Sequence, residues 1–90
     1  MLDQKLKKRA LHRARILEGQ MKGLTKAIGE EKYCVDLLLQ SLSIRESLKS
    51  LNQLLLENHL KTHVKHQLQK RGEEEKAVKE LVEIFSLSNK

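Results

Sequence analysis

The longest stretch of the sequence without a helix breaker runs from Cys34 to about Gln69 and contains neither proline nor glycine. Its aliphatic residues recur at helical spacing, and they are Val35, Leu38, Leu42, Ile44, Leu48, Leu51, Leu55 and Leu60. That period is typical of an α-helix. A helix of about 35 residues is about 50 Å long, which is long for a domain that folds alone. The stretch therefore predicts a very long helix that packs against another helix in a bundle.

Two shorter amphipathic segments flank this long helix. Helix 1, about residues 2–28, carries apolar residues three and four apart and is followed by Gly29, a helix stop. Helix 2 covers about residues 33–69. A glycine then breaks the pattern, and three glutamates open helix 3, about residues 73–86, where the helix dipole favours acidic side chains. We predict an all-α, three-helix protomer that forms a single domain over residues 1–90.

The size and composition of the chain bear on its state of assembly and its compartment. Ninety residues bury a modest fraction of their surface alone, so we expect several chains to associate. A single cysteine and a charged N-terminus without an apolar signal segment indicate a reducing cytoplasm. No apolar run approaches the length that a membrane span requires, so we expect no membrane partner.

The basic charge is concentrated in the first third of the chain. Residues 1–26 contain eight lysines and arginines against two acidic residues, whereas residues 27–90 contain ten of each sign. Such asymmetry predicts a polyanionic partner, of which nucleic acid is the commonest for a small helical protein. The alternative is a solvated basic face that only keeps the protein soluble. Helix 2 offers no break for a helix-turn-helix motif, so DNA binding would not use one.

Cys34, His59 and His63 are the candidate metal ligands. The two histidines are four residues apart, so on a helix they share one face and can approach one ion. One thiolate and two imidazoles suit three-coordinate Cu(I), or Zn(II) if a fourth ligand is found. On a continuous helix Cys34 and His59 are about 37 Å apart. One chain therefore cannot close this site.

Two antiparallel copies of helix 2 remove this difficulty. A twofold axis near residues 46–48 places Cys34 of one chain beside His59 and His63 of the other, which gives two identical sites per dimer. The alternative is a buried cysteine with two surface histidines. His66 lies on roughly the same face and is an accessory ligand or an exposed residue. With no orienting third group and no oxyanion loop, we predict neither enzyme activity nor a small-molecule substrate.

Several motifs resemble the copper-sensitive operon repressor (CsoR/RcnR) family of bacterial transcriptional repressors. They are HRARILEGQMKG from residue 12, YCVD from residue 33, Gln40 and ENHL from residue 57. The resemblance extends over nearly the whole chain. It implies an antiparallel four-helix-bundle dimer, assembly of two dimers into a homotetramer, and release of operator DNA when an effector binds.

The resemblance also implies roles for individual residues. Cys34, His59 and His63 occupy the three sensing positions, and Tyr33 and Glu80 match a pair that surrounds the metal ligands in the copper sensors. For DNA binding, Arg13 falls on a DNA-contact position of the family, and Gln20 is a candidate polar contact. Four further residues extend the same basic surface, and they are Lys7, Lys8, Arg9 and Arg15. Phosphate neutralisation by such a surface makes binding strongly salt-dependent.

The same resemblance narrows the effector to Cu(I). Nickel and cobalt sensors carry an additional N-terminal histidine where this chain has Leu2, formaldehyde sensors carry a proline near the N-terminus, and sensors of sulfur species need a second cysteine. The copper sensors commonly have cysteine where this chain has His63, which leaves Zn(II), Ni(II) and Co(II) as alternative effectors. A helical metal-binding protein that does not bind DNA is the alternative from another functional class.

Overall fold

The computed structural model describes residues 4–64, 66, 69, 70 and 72–90, and of His63 and Val64 it describes only the backbone. Three α-helices lie wholly within the described residues, and they are α1, Gln4–Gly29, α2, Cys34–His59, and α3, Glu74–Ser88. A five-residue π-helix, Leu60–Val64, follows α2 directly. No strand occurs in the described part of the chain. The all-α prediction with three α-helices is confirmed.

The described residues fall into two compact units, divided along the chain between Leu56 and Glu57. In the first unit, α1 and most of α2 pack in opposite directions, so that the start of α1 lies against the second half of α2. The side chains that make this contact are largely buried, and they are Leu6, Ala10 and Leu54, with Leu51 packed against them. Burial of these apolar side chains holds the two helices together.

A hydrogen-bonded turn connects α1 to α2. The N–H of Lys32 donates to the carbonyl of Ala27 (3.1 Å), and the N–H of Glu31 donates to that of Ile28 (3.0 Å). Glu31 has a left-handed backbone with φ 54°. This pair of bonds and the left-handed residue form a Schellman motif, which satisfies the last carbonyls of α1. The predicted stop, Gly29, is the last residue of α1 and lies two residues before the left-handed position.

The second unit contains α3. Gly72 precedes this helix with φ 88°, a conformation that glycine adopts without steric cost. Glu74 and Glu75 lie in the first turn of α3, as the dipole argument requires. Ala77 is fully buried. The hydroxyl of Ser88 donates to the carbonyl of Phe85 at the other end of the helix (2.9 Å).

Helix 2 differs from its prediction at its C-terminal end. The predicted helix covers about residues 33–69; α2 ends at His59, the backbone continues as the π-helix Leu60–Val64, and the described residues His66 and Gln69 are again α-helical. Residues 65, 67 and 68 lie outside the described residues. The spacing of apolar residues cannot distinguish an α-helix from a π-helix here, because over five residues the two helices differ too little in the number of residues per turn. α1 and α3 extend over Gln4–Gly29 and Glu74–Ser88, against predicted ranges of about 2–28 and 73–86.

Many apolar side chains are exposed in the single chain. The described residues include only five buried hydrophobic residues, two of them in the second half of the sequence. On α2, by contrast, Val35, Leu38 and Leu42 are 46%, 62% and 51% exposed. On α3, Val82 and Phe85 are 58% and 69% exposed. Among the described helices, none combines the length and the apolar character that crossing a membrane requires.

Replacing Glu31 by glycine should raise the free energy of unfolding by about 0.5–1 kcal/mol, because a left-handed backbone is strained for an L-residue and unstrained for glycine. Ser41→Gly, at an exposed position inside α2, is the matched control and should lower the free energy of unfolding by about 0.5–1 kcal/mol. Urea denaturation at one protein concentration measures both changes. A Glu31→Gly protein less stable than the parent would contradict the left-handed turn.

Candidate metal ligands and the basic face of helix α1

Cys34 is the first residue of α2, and its thiol is free and exposed. The carbonyl of Tyr33 accepts the first hydrogen bond of this helix from the N–H of Leu37 (3.1 Å). Cys34 therefore lies in the first hydrogen-bonded turn of α2, directly after the turn that follows α1. The exposed sulfur at this point is available as a soft ligand to a metal ion that is also bound by groups from outside the unit.

His59 is the last residue of α2 and is half-buried. The preceding residue, Asn58, is 4% exposed, and no described residue donates a hydrogen bond to its buried Oδ1. His63 lies four residues later in the π-helix, and its side chain lies outside the described residues. The spacing of the two histidines is thus defined by the backbone, which changes from α-helix to π-helix between them.

The two ends of α2 carry different candidate ligands. The helix is unbroken over 26 residues from Cys34 to His59, and a rise of about 1.5 Å per residue separates its ends by about 37 Å. Among the described residues of one chain, no group of three or more His, Cys, Asp or Glu side chains is placed to hold a metal ion. The site shared between two chains stays a prediction.

Three further residues have predicted roles beside the metal. Tyr33 is 68% exposed and adjoins Cys34, Glu80 is half-buried on α3, and His66 is exposed. Their predicted roles beside the metal stay predictions.

Most of the predicted DNA-contact residues are exposed side chains of α1, and they are Lys7, Lys8, Arg9 and Arg15. Arg13 differs from them. It is half-buried, and its Nη1 donates a hydrogen bond to the carbonyl of Ser50 in the second half of α2 (2.9 Å). Gln20 is also half-buried, and its Oε1 is buried without a hydrogen-bond donor among the described residues. Arg13 therefore joins α1 to α2, whatever else it binds.

The structure also draws attention to two lysines that the prediction of DNA contacts left out. Lys8, Arg15 and Lys22 are seven residues apart, and Lys26 follows Lys22 by four residues. At these spacings all four residues lie on one side of α1. All four are exposed. Lys26 makes a weak ion pair with Glu30 at 3.9 Å. The spacing of seven in the sequence would have revealed this side of the helix, which we call the basic face.

Comparison with known proteins places the chain among transcriptional repressors. Residues 6–86 match the family described as metal-sensitive transcriptional repressor. The copper-sensing transcriptional repressor CsoR of Bacillus subtilis is 32% identical over 81 residues, which are 90% of this chain and 79% of that protein. The copper-sensing transcriptional repressor RicR of Mycobacterium tuberculosis is 42% identical over 48 residues, and the match covers 53% of this chain and half of RicR.

The fold matches a solved structure of the same kind. The crystal structure of the copper-sensing repressor CsoR with Cu(I) from Geobacillus thermodenitrificans superposes with a TM-score of 0.88 at 26% identity. The match covers 98% of this chain and 91% of that one. The proteins that the chain resembles are repressors and not enzymes. The chain therefore belongs to the metal-sensitive transcriptional repressor family, the CsoR/RcnR family that its motifs resemble.

Proposed function

We propose that this protein is a repressor that binds operator DNA in its metal-free form and releases it when Cu(I) binds at a site shared by two chains. The observation that carries this proposal is the placement of one thiol and one imidazole at opposite ends of an unbroken helix, in a chain of the repressor family. The reducing cytoplasm is its proposed compartment, because a single free cysteine persists there as a thiol.

The donor set fits Cu(I). A cysteine thiolate and two imidazoles are ligands that this soft ion accepts in a three-coordinate site. Cys34 is exposed at the start of α2, which leaves it accessible to a second chain. When bound, copper would act as the effector and supply no catalytic step. Cys34 of one chain and His59 and His63 of the other would hold it, while Tyr33 and Glu80 are the residues proposed to surround it.

The exposed side of α2 supports the antiparallel dimer. Leu38 and Leu56 are 18 residues apart on this helix, which is about five full turns, so they lie on the same side. Both are exposed, as are Val35 and Leu42 on that side. A twofold axis near residues 46–48 brings Leu38 of one chain to Leu56 of the other and covers these side chains. Two such dimers form the proposed homotetramer.

Zn(II), Ni(II) or Co(II) is the alternative effector, because two of the three ligands are imidazoles. X-ray absorption of the loaded protein separates the two cases. Three short bonds from sulfur and nitrogen to copper would support Cu(I) as the effector. A divalent ion that has four to six ligands and binds more tightly than Cu(I) would instead be the effector. A helical metal-binding protein that binds no DNA is the remaining alternative, and it would give no specific complex with promoter DNA.

Changing Cys34 or His59 to alanine should abolish Cu(I)-driven release of operator DNA, because each change removes one of three ligands. The metal-free variants should bind DNA as the parent does. His66→Ala is the comparison variant, since His66 is exposed and lies outside the proposed three-ligand set. Anaerobic titration of Cu(I) into a complex with fluorescent operator DNA measures release by anisotropy. Unchanged DNA affinity of the parent at saturating Cu(I) would reject the proposed effector.

On the basic face, Arg15→Ala should weaken DNA binding and reduce the slope of log affinity against log salt by about one, because one phosphate contact is lost. The free energy of unfolding should not change. Arg13→Ala should weaken DNA binding and also lower the free energy of unfolding by about 1 kcal/mol, because it leaves the contact with Ser50 unmade.

Anisotropy over a series of salt concentrations and urea denaturation measure these two properties separately. Equal stability of the Arg13→Ala and Arg15→Ala proteins would contradict the bond that joins Arg13 to α2. An unchanged salt slope in the Arg15→Ala protein would remove Arg15 from the DNA surface.

A further inference from the structure

The backbone changes its hydrogen-bonding register between the two candidate histidine ligands. α2 ends at His59, and the π-helix Leu60–Val64 contains His63. π-helical segments are rare and commonly occur as single turns at functional sites. The junction therefore lies where the geometry of a metal site would be most sensitive to it.

The register determines how His63 is placed relative to His59. An α-helix has about 3.6 residues per turn, so a step of four residues goes slightly beyond one turn. A π-helix closes its hydrogen bonds one residue later and needs more residues for each turn, so the same four residues stop short of a full turn. The backbone at residue 63 is consequently rotated to opposite sides of residue 59 in the two registers.

One side-chain hydrogen bond crosses this junction from a half-buried position. The hydroxyl of Thr62 donates to the carbonyl of Asn58 at 2.7 Å. In an α-helix that carbonyl accepts the N–H of residue 62, and in a π-helix it accepts the N–H of residue 63. In the π-helical register, the Thr62 hydroxyl therefore still gives the Asn58 carbonyl a hydrogen bond from residue 62, in place of the one that the N–H of that residue makes in an α-helix. Asn58 is 4% exposed, so the bond attaches the π-helix to a well-packed residue.

A second side-chain contact at the junction contributes less. Lys61 Nζ lies 2.8 Å from Glu57 Oε1, and both side chains are largely exposed. Exposed ion pairs of this kind stabilise a helix little because water and salt screen them. The Thr62 bond is more shielded and acts directly on a backbone carbonyl, so it is the contact that bears on the register.

The same bond occurs elsewhere in the chain without a change of register. The hydroxyl of Thr25 donates to the carbonyl of Met21 at 2.9 Å, and α1 remains α-helical there. The bond alone therefore does not create a π-helix. It stabilises the wider turn at Thr62, where the backbone already adopts that register. Thr25 provides a control in which the same substitution removes the same bond far along the chain from the candidate ligands.

We propose that Thr62 is a positioning residue that holds the π-helix between His59 and His63 and so fixes the spacing with which the two imidazoles approach one metal ion. The inference rests on the proposed function for the identity of the ligands. Thr62 does not bind the metal. It acts on the backbone that carries the ligands, as outer residues of metal sites commonly do.

The experiment compares the full-length parent with Thr62→Val, Thr62→Ser and Thr25→Val. Cu(I) affinity is measured anaerobically by competition with a coloured Cu(I) chelator. Amide hydrogen exchange of residues 60–64 is measured in the metal-free proteins, and far-UV circular dichroism records their folding. Thr62→Ala is a second hydroxyl-free variant in case the valine protein does not fold.

We expect Thr62→Val to bind Cu(I) about tenfold more weakly and to exchange the amides of residues 60–64 faster. Thr62→Ser keeps the hydroxyl and should match the parent, and so should Thr25→Val. Parental copper affinity in the hydroxyl-free variants, or unchanged exchange at residues 60–64, overturns the inference alone. If the parent itself binds no Cu(I), the proposed function is overturned, and the positioning role of Thr62 with it.

Discussion

The unbroken backbone of α2 separates the candidate ligands by a distance that no side chain can cross. The helix has 26 residues with Cys34 at one end and His59 at the other, and its length of about 37 Å between them follows from the rise of an α-helix. A site that uses both residues requires a second chain. The proposed antiparallel dimer would also cover the exposed leucines on α2, so one partner would complete the metal site and bury the apolar side chains.

The contact between α1 and α2 links this helix to the basic face. Leu6, Ala10 and Leu54 pack together, and Arg13 donates to the carbonyl of Ser50. A change in the position of α2 would therefore be transmitted to α1. For the proposed release of DNA, copper would have to bind more tightly to a form whose basic faces do not fit the operator. Copper can shift the equilibrium between the two forms only by as much as its affinities for them differ.

Much of the fold could be predicted because the leucine period of residues 34–69 is long and contains no breaker. The π-helix Leu60–Val64 could not, since five residues of changed register leave no mark on the apolar pattern. The ligand types and their separation were visible in the sequence. The different environment of Arg13 was not, because a sequence gives its charge and not the carbonyl that it contacts. The left-handed turn at Glu31 was missed because glycine normally occupies such a position.

Mixed dimers test whether each metal site is built from two chains. Cys34→Ala chains and His59→Ala chains are each expected to bind no Cu(I) at this site. When the two are refolded together, every mixed dimer should regain one complete site, so the mixture should bind about a quarter of the parental Cu(I) per chain. A mixture that binds no more Cu(I) than either variant alone would contradict a site shared between two chains.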